Sequence, residues 1–259
     1  MSIIIPVLLF GAIGLVVGVV LSVASKLFAV ETDERIELIS ELLPGANCGG
    51  CGYAGCAACA AAIVAGEAPV TACPGCTSTD KIAEIMGVEA VSAQPKKAYV
   101  LCSGQTGKAI KKYDFDGTMS CYSINQLKGG DKNCAYACLG YGDCVKKCAF
   151  DALSIVDGIV SVDRSKCTGC GVCTATCPKK VIKILPENIK AYVKCSSKDK
   201  GAALKDKCSV GCIGCKICEK NCEAEAIKVV DNLAVIDYEK CTGCGVCAEK
   251  CPKKIIELN

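Results

Sequence analysis

Two cysteine runs constrain this chain more than any other feature in it. They are Cys167-Thr-Gly-Cys170-Gly-Val-Cys173-Thr-Ala-Thr-Cys177-Pro178 and Cys241-Thr-Gly-Cys244-Gly-Val-Cys247-Ala-Glu-Lys-Cys251-Pro252. Both read C-x2-C-x2-C-x3-C-P. Three thiolates at that spacing curl around one cube of iron and sulfide, the fourth points to a second cluster, and the proline ends the loop. One such run is a weak signal. Two, with glycines and prolines in the same places, read as an iron–sulfur protein.

Composition sharpens this. Of 259 residues, 26 are Cys, none is His or Trp, and aromatics make up 5%. A large conventional core is not expected, and small domains of this kind take stability from bound metal or from disulfides. A secreted disulfide framework is the ordinary reading of so many cysteines, but thiols clustered in triplets suit an inorganic core. Zinc without histidine needs all-Cys sites, usually two C-x2-C pairs divided by a spacer, and triplets closing on Cys-Pro lack that form. A formal net charge of +3 implies no nucleic-acid partner.

The chain starts with an apolar stretch, Ile3 to Ser25, without a charged residue. About 24 helical residues span about 36 Å, enough for a bilayer core. A signal peptide would show basic residues ahead of a shorter apolar run; none precedes this one. The stretch reads as a retained, single-pass transmembrane helix of the inner membrane. Lys26 and Arg35 on its C-terminal side place the remainder in the cytoplasm. Gly11, Gly14, Gly18, Ser22 and Ser25 form a small-residue face of the kind that docks other membrane helices, or are simply the glycine content of a membrane segment.

A short amphipathic helix is expected from Glu31 to Leu43, stopped by Pro44-Gly45. Cys48, Cys51, Cys56 and Cys73 then make a four-thiolate set, with Cys76 the alternative to Cys73. Neighbouring glycines let the backbone approach an inorganic core. Cys56 opens a helix through Val64, on which Cys59 reads as a small core residue. A closing helix runs from Asp80 to Met86, and Gly87 to Lys97 is a linker.

From Ala98 the sequence doubles. Tyr99-Val-Leu-Cys102-Ser matches Tyr192-Val-Lys-Cys195-Ser, and Cys134, Cys138, Cys144 and Cys148 match the series Cys208, Cys212, Cys215, Cys218 and Cys222. Residues 98–185 and 186–259 are therefore internal repeats, each with a hairpin turning at Asp157-Gly158 or Asp231-Asn232. The crossed ligand pattern assigns Cys212, Cys215, Cys218 and Cys251 to one cluster and Cys222, Cys241, Cys244 and Cys247 to another. In the first repeat Cys148, Cys167, Cys170 and Cys173 form the corresponding set. The remaining set is irregular, because Tyr141 stands where the second repeat has Cys215. Cys138, Cys144 and Cys177 stay together, with Cys134 chosen as fourth ligand and Cys102 and Cys121 as rivals. These twenty cysteines imply about five [4Fe–4S] clusters. Cys59, Cys76, Cys102, Cys121, Cys195 and Cys208 are left over, enough to allow at most six.

The order of modules resembles one family. An apolar helix (residues 1–28), a small Fe–S module and linker (29–97) and two tandem ferredoxin-like units (98–185 and 186–259) resemble the B subunit of the Rnf complex in its cysteine-rich anaerobe form. The resemblance implies an α+β fold and an electron-transfer subunit of a membrane-bound, ion-translocating ferredoxin:NAD⁺ oxidoreductase. Soluble ferredoxin would be its donor and other membrane subunits its partners. A membrane-tethered polyferredoxin of a hydrogenase-type complex is the competing reading. No G-x-G-x-x-G follows an expected strand, so NAD and flavin are expected on other subunits. Ser103-Gly-Gln-Thr-Gly-Lys108 lacks the residues of a phosphate loop. Lys179-Lys180 and Lys253-Lys254, just after the Cys-Pro runs, are candidate docking charges for an acidic donor, or solvated helix ends.

Overall fold

The computed structural model describes residues 4–27, 33–89 and 94–259. Helix α1, Ile4–Leu27, is the expected apolar helix. Its stretch Val7–Ser25 has a mean hydropathy of 2.7 and none of it is covered by the rest of the chain. A helix of that length and composition can cross a membrane. Gly11, Gly14 and Gly18 have open space where a Cβ would stand.

Three helices build the small module: α2 (Glu34–Leu42), α3 (Cys56–Val64) and α4 (Thr79–Met86). Ile39, Ile63 and Ile82 are buried where they meet. The Ala-rich face of α3 allows this close approach, with Ala60 and Cys59 also buried. Asp33 caps α2 through the Arg35 amide, so the start expected at Glu31 lies partly outside the described residues. Gly87, left-handed at φ +65, closes α4. The expected linker shrinks, because strand β1 already begins at Lys96.

Two similar units follow. The first contains β1 (Lys96–Val100), α5 (Cys121–Gln126), α6 (Asp143–Lys146), β2 (Leu153–Val156), β3 (Ile159–Val162), α7 (Val172–Thr176) and β4 (Ile182–Pro186). The second contains β5 (Ala191–Val193), α8 (Gly201–Leu204), α9 (Ile217–Lys220), β6 (Ile227–Val230), β7 (Leu233–Ile236), α10 (Val246–Glu249) and β8 (Ile256–Leu258). In each, the outer strands pair antiparallel, β1 with β4 and β5 with β8, bringing the ends of the repeat together. The inner strands are hairpins, β2–β3 and β6–β7, closed by two-residue turns. Asp157 (φ +49), Gly158 (φ +74), Asp231 (φ +49) and Asn232 (φ +63) all lie in the left-handed region, as the tight hairpin turn requires. The fold is α+β, and each unit's core is largely cysteine and small aliphatic side chains. At the junction, the Tyr99 and Tyr192 rings meet edge to face at 4.9 Å. The Arg164 guanidinium stands over both, at 4.5 and 5.4 Å.

Candidate iron–sulfur sites

The small module begins its site at Asn47. The Asn47 Oδ1 accepts from the Cys56 amide at 2.8 Å, tying the first cysteine loop to the start of α3. Cys48, Cys51, Cys56 and Cys73 line one cavity. Cys59 borders the same cavity from α3, while Cys76 does not and donates its thiol to the Leu42 carbonyl at 3.6 Å. Burial and the neighbouring Cys51 push the Cys59 thiol up to about 12, and Cys59 packs among Ile39, Ile63 and Ile82 in the centre of the module.

The terminal unit has two further four-cysteine cavities. One is lined by Cys212, Cys215, Cys218 and Cys251. The other is lined by Cys222, Cys241, Cys244 and Cys247. Burial pushes the Cys218 thiol up to about 11, and Cys212, Cys215 and Cys251 add to the effect. The local folding that makes these loops is simple. Gly245 is left-handed at φ +79 ahead of α10, and Gly171 at φ +81 ahead of α7, so each chain turns sharply within its C-x2-C-x2-C run.

In the first unit, Cys173 is pushed up to about 11 by burial, with Cys170 and Cys167 among its neighbours. Cys170 is raised by burial and next by the thiols Cys48 and Cys148. Cys170 thus has Cys148 and Cys173 for neighbours within the unit, and its loop abuts the small module. The contact there is tight: a Cβ on Gly50 would lie 2.5 Å from the Cys170 carbonyl oxygen.

The irregular set differs from expectation at its fourth member. Burial pushes the Cys144 thiol up to about 12, and the neighbouring thiols that add to this are Cys138, Cys121, Cys177 and Cys173. Cys134 is not among them; its thiol neighbours are Cys102 and Cys208. The physical reason lies in Asp143 at the start of α6. Its carboxylate accepts from the Ser120 hydroxyl at 2.9 Å and from the Tyr122 amide at 3.1 Å, which clamps Cys121 beside Cys144. Tyr141, in the position of the missing cysteine, turns its hydroxyl to Asp131 at 2.7 Å. The structure thus places the rival Cys121 beside Cys144, and Cys134 beside Cys102 and Cys208. Long-range pairing through Asp143 leaves no trace in cysteine spacing.

These sites fit cubane clusters. Three of the sites are cavities lined by four or more cysteine side chains, the all-thiol donor set that a cubane cluster takes. Backbone amides donate to sulfur, Ala98 N–H to Cys167 at 3.4 Å and Ala226 N–H to Cys222 at 3.3 Å, the contacts that steady a thiolate ligand. Iron binds cysteine as thiolate, so binding releases thiol protons and its free energy becomes folding energy.

The lysine pairs have local work. Lys253 Nζ donates to the Ser209 carbonyl and Lys254 Nζ to the Glu249 carbonyl, each at 2.8 Å. Lys180 reaches back to the Thr174 and Ala175 carbonyls, and Lys179 bonds the Gly129 carbonyl. They secure the turns after the Cys-Pro runs, which favours the helix-end reading over docking.

Paired hairpins, duplicated cysteine loops and several four-thiol cavities define a multi-cluster, ferredoxin-type electron carrier. Family models agree: "Putative Fe-S cluster" matches residues 43–74, "4Fe-4S binding domain" residues 160–183 and "4Fe-4S dicluster domain" residues 211–255. The chain is 45% identical over 243 residues to the B subunit of the Na⁺-translocating ferredoxin:NAD⁺ oxidoreductase complex of Acetobacterium woodii, covering 93% of this chain and 73% of the relative. It is 45% identical over 249 residues to the B subunit of the ion-translocating oxidoreductase complex of Methanosarcina acetivorans, covering 95% and 94%. With the B subunit of the proton-translocating ferredoxin:NAD⁺ oxidoreductase complex of Clostridium ljungdahlii it shares 42% over 233 residues, covering 88% and 82%. The chain belongs to the family of B subunits of the ion-translocating (Rnf) ferredoxin:NAD⁺ oxidoreductase complexes, and it is the iron–sulfur electron-transfer subunit of such a complex. The hydrogenase-type alternative is not favoured.

Proposed function

We propose that this subunit accepts electrons from reduced soluble ferredoxin and passes them toward membrane subunits of its complex, with NAD and flavin bound on other subunits. Five ligand sets carry the reading: Cys48, Cys51, Cys56 and Cys73; Cys148, Cys167, Cys170 and Cys173; Cys121, Cys138, Cys144 and Cys177; Cys212, Cys215, Cys218 and Cys251; and Cys222, Cys241, Cys244 and Cys247. The single observation behind it is the succession of four-thiol sites, beginning with the small module seated against the Cys170 loop. Bound [4Fe–4S] clusters supply one-electron transfer. The residues themselves hold the iron, exclude water and aim amides at sulfur.

The test uses full-length protein prepared anaerobically in detergent. Addition of reduced ferredoxin should bleach its visible iron–sulfur absorbance within the mixing experiment, and oxidised ferredoxin should not. Retained absorbance with reduced ferredoxin, in protein that dithionite does bleach, rejects ferredoxin as direct donor.

The membrane part of the proposal is a single-pass anchor with the cluster-bearing region on the cytoplasmic side. It rests on the uncovered apolar face of α1 and on Arg35 beyond its C-terminal end. Deleting Met1 to Lys26 is expected to give a soluble, brown protein with unchanged iron per chain, since no cysteine lies in the deleted stretch. Loss of iron on truncation, by metal analysis, would show that α1 belongs to the cluster fold and is more than a tether.

A further inference from the structure

Four of the cysteines outside the five ligand sets meet in one place. Cys102 and Cys134 come from the first unit, Cys195 and Cys208 from the second, and together they line one cavity at the junction. All four are buried, between 6% and 8% exposed. The sequence repeat pairs them, Cys102 with Cys195 and Cys134 with Cys208, so the cavity lies where the repeats face each other.

The junction is built reciprocally. The Ser103 hydroxyl donates to the Lys194 carbonyl at 3.1 Å, and the Ser196 hydroxyl donates to the Leu101 carbonyl at 2.8 Å. The sulfurs are served in the same paired way. Cys102 Sγ accepts from the Gly104 and Cys138 amides, both at 3.4 Å. Cys195 Sγ accepts from the Ser197 amide at 3.5 Å and the Cys212 amide at 3.3 Å. Two N–H donors aimed at one buried sulfur are the contacts that a cluster-ligating cysteine makes with its surrounding backbone.

A buried cation adds an independent indication. Lys132 is 6% exposed. Its ammonium donates to the carbonyls of Gly104, which lines the cavity, and Gly158, each at 3.2 Å. Among the described residues no carboxylate forms an ion pair with it. A buried ammonium held only by carbonyls is costly unless a negative group lies close by. A four-thiolate iron–sulfur cluster is such a group, and its anionic charge is spread over the sulfurs.

We propose that Cys102, Cys134, Cys195 and Cys208 hold a sixth [4Fe–4S] cluster, which bridges the two ferredoxin units. On assembly from iron and sulfide, four thiol protons pass to solvent as four iron–thiolate bonds form. The two amide donors define its neighbours. Cys138 belongs to the set with Cys121, Cys144 and Cys177, and Cys212 to the set with Cys215, Cys218 and Cys251. The bridging site thus stands between the last site of the first unit and the first site of the second. It makes the sites one continuous series and pins the units together by shared ligands. This inference rests on the ligand reading above.

Iron, labile sulfide and zinc are measured on anaerobic full-length protein, on Cys102→Ala with Cys195→Ala, and on Cys215→Ala as a reference. Wild type should carry about 24 iron and 24 sulfide per chain, and the double variant about four fewer of each. Cys215→Ala should lose iron from a different cluster, seen as the disappearance of a different reduced-state paramagnetic signal. Should only Cys215→Ala lose iron, the bridging cluster is overturned while the other ligand sets stand. Should neither variant lose iron, the ligand reading itself fails. If the double variant does not fold, wild-type protein decides: about 20 iron, or one zinc per chain in place of the last four, overturns the proposal.

Discussion

Cys121→Ala is expected to strip iron from the first ferredoxin unit, by about one atom if a three-iron remnant survives and about four if the cluster is lost. The same change at Cys59 should leave iron unaltered. The contrast follows from surroundings. Cys121 opens α5 and is held to α6 by Asp143, so its thiol joins those of Cys138, Cys144 and Cys177. Cys59 packs in the apolar centre of the small module beside a set that already has four members. The decisive comparison is the double variant Cys121→Ala with Cys134→Ala. If the two residues serve different clusters, iron losses from the single variants add. A double variant that loses no more iron than either single would place both thiols on one cluster, and the proposed division of Cys121 and Cys134 between two clusters would be wrong.

Gly169→Ala should be a strongly damaging single methyl in the first unit, costing about 3 kcal/mol or more, whereas the equivalent Gly243→Ala should cost about 1–2 kcal/mol. Both glycines are left-handed, at φ +72 and φ +81. The difference lies in what a new Cβ meets. At Gly169 it would run into the carbonyl of Lys96, in β1, which is fixed by pairing with β4. At Gly243 it meets Lys190 Cβ at 2.9 Å and Cγ at 3.1 Å; Cγ can rotate away and Cβ needs only a small backbone shift, a milder conflict than one with a paired strand's carbonyl oxygen. The first strand also supports the cysteine loop directly. Lys97 Nζ donates to the Cys167 carbonyl at 2.8 Å and the Ala98 amide to Cys167 Sγ. Gly169→Ala should therefore lower the denaturant midpoint for bleaching of the iron–sulfur absorbance well below that of Gly243→Ala. Equal midpoints would mean that β1 does not buttress the loop.

Much of the architecture was legible in local patterns. The helix from Cys56 to Val64 appears with the expected limits, because a cysteine loop ends there and a run of alanines follows. The hairpin turns at Asp157-Gly158 and Asp231-Asn232 follow from residues that tolerate positive φ. The docking role suggested for Lys253-Lys254 was less secure, since charge in a sequence does not reveal which amines are already bonded to carbonyls.

The sequence by itself determined the chemistry of the chain: thiols two residues apart can only converge, so each C-x2-C-x2-C run carries its geometry within one loop. It also determined the doubled units and the apolar helix, because repeats and hydropathy are properties of the string. Only the tertiary structure decided how thiols far apart in the chain are shared out. Cys121 reaches Cys144 because Asp143 clamps two separate segments. Cys102, Cys134, Cys195 and Cys208 meet only when the two repeats face each other and exchange hydrogen bonds across their junction. A spacing rule cannot contain such a site, since half of it lies in each unit and the packing between them brings it into being.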